Sequence, residues 1–205
     1  MEFTLTYRGP LPGGSASGRV EYKHTLRKAF HKQLADYWQR DSRLRELKPK
    51  DFQIAQRSHN YKYEVVRPVQ GTQNFFFHFP CAGIKFVPLV IRIRYMECHL
   101  AIDWHRHDPP GTILSETGDI DNRLKTLFDS LRMPQHESEP PPGCRHRGGP
   151  FFCLLEDDSL ITKLAVNTSQ ILGKGQFGPN DVELTLHVIV RPRYPMNANI
   201  DLLFP

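Results

Sequence analysis

Apolar and polar residues alternate with period two from Phe3 to Tyr7, which predicts a short strand, and the Gly/Pro/Ser-rich stretch Pro10 to Gly18 predicts a loop after it. The period then changes to that of a helix. From Glu21 to about Gln39 the apolar residues Leu26, Phe30, Leu34, Tyr37 and Trp38 recur on one face, while Lys23, Arg27, Lys28, His31 and Lys32 fall mostly on others. Arg43, Arg45, Lys48 and Lys50 prolong the positive charge until Pro49 stops any further helix.

Strand patterns follow at Tyr61 to Arg67, at Asn74 to Phe79, and over a long stretch from Val87 to Trp104 interrupted near Pro88. In the last of these Cys98, Leu100, Ile102 and Trp104 share one face. Asp108-Pro109-Pro110-Gly111 closes it as a turn. A second helix is expected from Gly118-Asp119 to about Arg132, with Leu124, Leu127, Phe128 and Leu131 as its core face and Asp121, Lys125 and Asp129 on its polar face.

Residues 133–150 are rich in Pro, Gly, His and Arg without periodicity, and read as an exposed insertion. Alternation returns at Leu160 to Val166 and at Val182 to Val190, where Pro192 ends it and a tail over 192–205 begins. These patterns predict one α+β domain over 1–205, with a mixed or antiparallel sheet and two main helices.

Composition narrows this reading. The chain has 205 residues, 39% hydrophobic and 24% charged, near the globular norm and long enough for one domain with a sizeable core. No run of about 18 apolar residues is present to span a membrane. The N-terminus lacks the basic start and apolar block of a secretory signal, so a cytoplasmic protein is expected. Four scattered cysteines do not make a disulfide framework.

The net charge of +5 conceals an asymmetry: residues 1–100 hold 17 Lys and Arg against 8 Asp and Glu, whereas residues 101–205 hold 10 against 14. A basic half suits a phosphate backbone, and gathered acids suit a divalent cation bridging to that phosphate; solvated faces are the plainer explanation. Candidates for backbone contact are Arg27, Lys28, Lys32 and Arg123.

The chemistry centres on Asp119 and Asp121. Two residues apart, they diverge inside a helix, but at its entrance, with Asp119 near the cap and Asp121 in the first turn, both carboxylates can converge beside the free amides. In isolation a helix cap with a favourable dipole interaction explains them better. Lys125 lies four residues after Asp121 on the same face, and Glu156-Asp157-Asp158 stands immediately before a strand, where a third carboxylate can be aimed. Three acids from two elements form a hard-oxygen site suited to Mg²⁺, with Mn²⁺ as a substitute.

Asp119-Ile120-Asp121-Asn122 with Lys125, then Phe128-Asp129-Ser130-Leu131, then Glu156-Asp157-Asp158-Ser159 before a strand, resemble RusA-type Holliday junction resolvases in content and order. The resemblance covers about Ile91 to Val190; residues 1–90 match poorly, and Met133 to Leu155 is longer than the family needs. It implies a small homodimeric α+β nuclease that binds branched DNA and nicks four-way junctions in pairs with Mg²⁺. It also implies that Asp119, Asp121 and Asp158 are the metal-binding acids and Lys125 the motif's lysine.

Asp157 or Glu156 is an outer or alternate ligand, and Asp129, on the same face as Lys125, supports the site without binding the metal. The competing functions are a non-catalytic branched-DNA binder and a metal-dependent nuclease acting on flaps or single strands.

Weaker signals remain. His136, Cys144, His146 and Cys153 contain the residue types of a zinc site but lack its spacing. His105 and His107 flank one strand end near Asp103. The tail Asn199-Ile200-Asp201-Leu202-Leu203-Phe204 either packs on the body or on a dimer mate, or docks as a short peptide resembling those that bind the bacterial sliding clamp.

Overall fold

The computed structural model describes residues 1–12, 19–45, 64–66, 76–107, 120–144, 146, 149–172, 178, 180–195, 199 and 202. In chain order the elements are β1 (Glu2–Pro10), α1 (Arg19–Arg40), α2 (Ser42–Arg45), β2 (Glu64–Val66), β3 (Phe76–Cys81), β4 (Ile84–Val90), β5 (Met96–Arg106), α3 (Ile120–Leu131), β6 (Phe151–Leu155), β7 (Ile161–Gln170) and β8 (Asp181–Pro192). Two 3-10 turns, Arg92–Arg94 and Asp158–Leu160, join strands. None of the described helices is long and apolar enough to cross a membrane.

The fold is α+β, but the single sheet expected from the pattern is two four-stranded sheets. The first has the order β1-β8-β5-β7, with β8 antiparallel to both β1 and β5, and β7 parallel to β5. The second has the order β2-β3-β4-β6 and ends in a parallel β4–β6 pair. Parallel neighbours need a crossover, which α3 and its flanking segments supply for both pairs.

The stretch from Val87 to Trp104 is where the division occurs. Its expected interruption at Pro88 is absent: Pro88 lies inside β4, opposite Cys153 of β6. It stands beyond Ile84–Phe86, the part of β4 that β3 pairs, so the missing N–H costs no ladder bond on that side. The break comes at Ile91–Tyr95, where the chain turns through Arg92–Arg94 and Tyr95 takes a left-handed φ of 54° before β5 starts in the other sheet.

The alternation predicted for β5 is realised: Cys98, Leu100, Ile102 and Trp104 are buried and face Val188, Leu186 and their neighbours of β8 within one core. On α1, Leu26, Phe30, Leu34 and Trp38 are buried as their spacing predicts. This helix packs on β1, α3 and β6. His31 makes the last contact specific: its Nδ1 accepts the Phe152 N–H at 2.8 Å and its ring stacks on Phe151 at 4.3 Å. Leu127 and Leu131 of α3 enter the same core.

The 133–150 segment is less detached than expected. Pro134 and Pro140 are buried, the Met133 N–H donates to Leu155 O, and Arg132 bridges to Leu155 in parallel fashion. The tail also turns inward: Asn199 and Leu202 are buried, and Asn199 Nδ2 donates to Arg94 O at 2.8 Å and to Tyr194 O at 2.9 Å. These two residues are packed onto the body, not presented as a free peptide; Ile200, Asp201, Leu203 and Phe204 lie outside the described residues.

Candidate functional site

Helix α3 carries the first part of the acid site. Asp121 is exposed in its first turn, and Lys125 is exposed one turn further on. Asp119 lies outside the described residues. The amphipathic spacing of α3 sets these directions, because burying Leu127 and Leu131 turns Asp121 and Lys125 outward.

The second part is the Asp158–Leu160 turn, which stands by the C-terminal end of α3. There the Met133 N–H donates to Leu155 O and Gln135 Nε2 to Glu156 O, whereas Asp121, in the first turn, is at the opposite end of the helix. Leu160 enters the core and anchors the turn. Its three consecutive acids have separate environments. Glu156 is buried, with its Oε2 accepting the Arg92 N–H at 2.6 Å and its own N–H donating to Val90 O at 2.9 Å.

Asp157 is the N-cap of the turn: extended at φ −150° and ψ 146°, it accepts the Ser159 N–H at 3.0 Å and the Ser159 hydroxyl, and stands 3.4 Å from Arg92 Nη2. Partial burial pushes its carboxyl up, but the Ser159 hydrogen bonds and the Arg92 charge outweigh that and hold it below the usual carboxylate value. Asp158 is exposed, and its carboxylate has no hydrogen bond or ion pair to another described residue. Of the three acids, Asp158 is therefore the one open to an incoming cation. Arg92, which joins Glu156 to Asp157, carries no motif signal and was not singled out by the sequence reading.

Two of the basic candidates are corrected. Arg27 is 1% exposed, and its Nη2 donates to Asp129 O at 2.6 Å and to Glu139 Oε2 at 3.1 Å. Arg123 is fully buried, with Nη1 donating to Leu11 O at 2.5 Å and Nη2 to Asn180 Oδ1 at 3.2 Å. Neither guanidinium reaches a phosphate on the surface; each replaces lost hydration by internal acceptors. Lys28 and Lys32 are exposed on α1.

Asp129 is also corrected. It does not share the exposed face of Asp121 and Lys125 but is a buried carboxylate held by Lys23 at 2.7 Å and Arg132 at 2.8 Å. Glu139 bonds both Arg27 and Arg132, so one ionic network ties α1, α3 and the 133–150 segment together.

Among the described residues no group of three His, Cys, Asp or Glu side chains converges as a metal site. For the four zinc candidates, Cys153 is sealed inside β6, where burial raises its thiol pKa, while His136 is exposed. The histidines of the open face of the first sheet are partnered locally: His187 Nε2 lies 3.0 Å from Asp103 Oδ2, and His105 meets Ser169. Comparison of the chain with protein-family models, curated proteins and solved structures finds no match.

Proposed function

We propose that this chain is a magnesium-dependent, structure-specific endodeoxyribonuclease that resolves four-way DNA junctions by paired nicks, acting as a homodimer. What supports this most is the motif itself: Asp121 and Lys125 are exposed one turn apart on α3, and Asp158 is the exposed acid of its cluster. The order of acids and lysine resembles the resolvase motif, and Asp119 would complete the set.

The donor chemistry fits the cation. Two exposed carboxylates on a helix start and a capped turn are hard oxygen ligands on backbones fixed by the core. When bound, Mg²⁺ supplies Lewis acidity and a water nucleophile at neutral pH. In this reading Asp119 and Asp121 would hold it at the helix start, and Asp158, by the other end of α3, is the third acid of the motif. Asp157 shapes the turn by capping it. Lys125 faces the scissile phosphate and offsets charge gathering on its oxygens. Lys28 and Lys32 bind flanking phosphates through charge alone.

The test uses labelled four-way junctions, flaps and linear duplex with Mg²⁺, comparing wild type with Asp121→Asn and Asp158→Asn. Paired nicks on junctions that vanish in both variants while binding persists are the expected result. Binding by wild type with no Mg²⁺-dependent cleavage would overturn it in favour of a DNA-binding protein, and preferential cutting of flaps or single strands in favour of a different nuclease.

A further inference from the structure

At the end of the first sheet where β5 begins and β8 finishes, one carboxylate gathers several cationic side chains. Glu97 is buried, and the strand register sets it opposite Arg191. Arg191 Nε donates to its Oε1 at 2.8 Å, Arg193 Nε stands 3.4 Å from its Oε2, and His99 Nε2 lies 3.4 Å from Oε1. The Thr162 side chain bonds the same carboxylate. Thr162 is the extra residue of a bulge, since Cys98 pairs with Ile161 and His99 with Lys163, and a bulge re-aims the side chain it frees.

The backbone beside this cluster is fixed as well. The Arg193 N–H donates to Tyr95 O at 2.8 Å, and the buried Asn199 clamps Tyr194 O and Arg94 O together through its Nδ2. The side chains carried on this backbone nevertheless open to solvent: those of Arg191 and Arg193 are 56% and 46% exposed, and Tyr194 is 65% exposed. With Glu97 and Pro192 they line a shallow cleft of about 560 Å³.

One carboxylate cannot neutralise two guanidinium groups, so the cleft keeps an excess of positive charge. Each arginine turns its Nε to Glu97, and its terminal Nη pair makes no hydrogen bond to another described residue. Two such forks offer more donors than a phosphodiester accepts on its two free oxygens. A terminal phosphate has three free oxygens and a second negative charge to meet them. The exposed Tyr194 ring adjoins the forks, and an aromatic face stacks on any nucleobase.

We propose that this cleft binds a terminal phosphate together with its nucleoside, the Nη groups of Arg191 and Arg193 gripping the phosphate and Tyr194 stacking on the base. Glu97 is a positioning residue: by holding both guanidinium groups in place beforehand, it reduces the side-chain order lost on binding. The end of a nucleic-acid strand and a free mononucleotide share this chemistry. The inference does not rest on the nuclease reading, because the cleft needs no metal and contains none of the acids assigned to cleavage.

The test is fluorescence anisotropy without Mg²⁺, using a single-stranded tetranucleotide labelled at its 3′ end and carrying either a 5′-phosphate or a 5′-hydroxyl. Wild type is expected to bind the phosphorylated strand about tenfold more tightly, on the scale of one charge-assisted hydrogen-bonded contact. Arg193→Gln is expected to abolish that preference, and Arg191→Lys, which keeps the charge but loses the fork, to reduce it. Tyr194→Ala is expected to weaken binding of both strands by about tenfold, the scale of one stacked base, and Tyr194→Phe to restore it.

Glu97→Gln separates positioning from charge. It adds net positive charge, so a merely electrostatic patch would bind both strands more tightly, whereas loss of the positioned forks is expected to lower the preference for the 5′-phosphate. Circular dichroism checks that each variant is folded. Competition distinguishes the two sources: deoxyadenosine monophosphate displacing the strand at equal concentration assigns the cleft to free mononucleotides, and displacement only at far higher concentration assigns it to strand ends. Equal affinity of wild type for the two strands, a preference that survives Arg193→Gln, or inorganic phosphate competing as well as the mononucleotide overturns the proposal.

Discussion

Lys23 of α1 and Asp129 of α3 form an ion pair of 2.7 Å, and the other oxygen of that carboxylate holds Arg132 at 2.8 Å. Both cations are mostly buried, so Asp129 neutralises two charges that water reaches poorly. Removing one partner of such a pair costs more than the pair itself contributes, because the remaining charge stays desolvated. Asp129→Ala is expected to lower the unfolding free energy by about 2–4 kcal/mol. Equilibrium urea unfolding measures this, and an unchanged midpoint would contradict the network's structural role.

Acid should weaken the protein in two stages. His24 and His31, packed against Phe151, have pKa values lowered from 6.5 to about 4, first by burial and then by neighbouring basic side chains, Lys28 and Arg27 for His24 and His146 and Lys32 for His31. The unfolded chain therefore binds more protons between those values, and stability falls as pH drops from about 6.5 toward 4.

His31 also loses its acceptor for the Phe152 N–H on protonation. Below pH 3.8 the second stage follows: burial pushes Asp129 up, but Lys23 and Arg132 hold it lower, so its contribution is lost as pH falls through that depressed value. Denaturation series from pH 7.5 to 4.5 isolate the first stage, and His24→Phe is expected to flatten it.

The acids at the start of β7 should separate by assay. Asp157→Ala removes a cap and is expected to cost about 1 kcal/mol of stability. Asp158→Ala is expected to leave the melting temperature within 2 °C, roughly the shift of a surface substitution, while abolishing Mg²⁺-dependent cleavage. Lys125→Ala is expected to reduce kcat by about 10²-fold, the scale of one lost charge-stabilising group. Equal losses of stability in the Asp157 and Asp158 variants would contradict the assignment.

The basic residues divide in the same way. Arg123→Met is expected to destabilise the fold by about 2–3 kcal/mol, since Leu11 O and Asn180 lose a buried donor, and to leave DNA affinity unchanged in the folded fraction. Lys28→Ala and Lys32→Ala are expected to reduce the slope of log affinity against log salt by about one each with no change in stability. Fluorescence anisotropy across a salt series distinguishes the two classes.

Much of this architecture was legible in the chain because it depends on local period. The helical spacing of Leu26, Phe30, Leu34 and Trp38 and the alternation of Cys98 to Trp104 need only a nearby apolar surface to be realised, and the core supplies it. The same spacing turned Asp121 and Lys125 to one exposed face, so that half of the candidate site was readable as a pattern.

Tertiary structure decided the rest. Charge in a sequence carries no sign of depth, so Arg27 and Arg123 read like Lys28 and Lys32, yet internal carbonyls and carboxylates took the guanidinium groups inside. Adjacent acids were equally indistinct until the turn oriented them, committing Glu156 to the Arg92 N–H and Asp157 to Ser159 and leaving Asp158 open.

Alternation likewise cannot say which strands pair. The division of one long β pattern into two sheets at Ile91–Tyr95, and the exposed position of β7 at an edge, follow from long-range hydrogen bonding. The sequence by itself determined the elements and their faces, because these are set by residues within a turn or two. Depth, pairing and partnership belong to the tertiary structure, because they are set by residues far away in the chain.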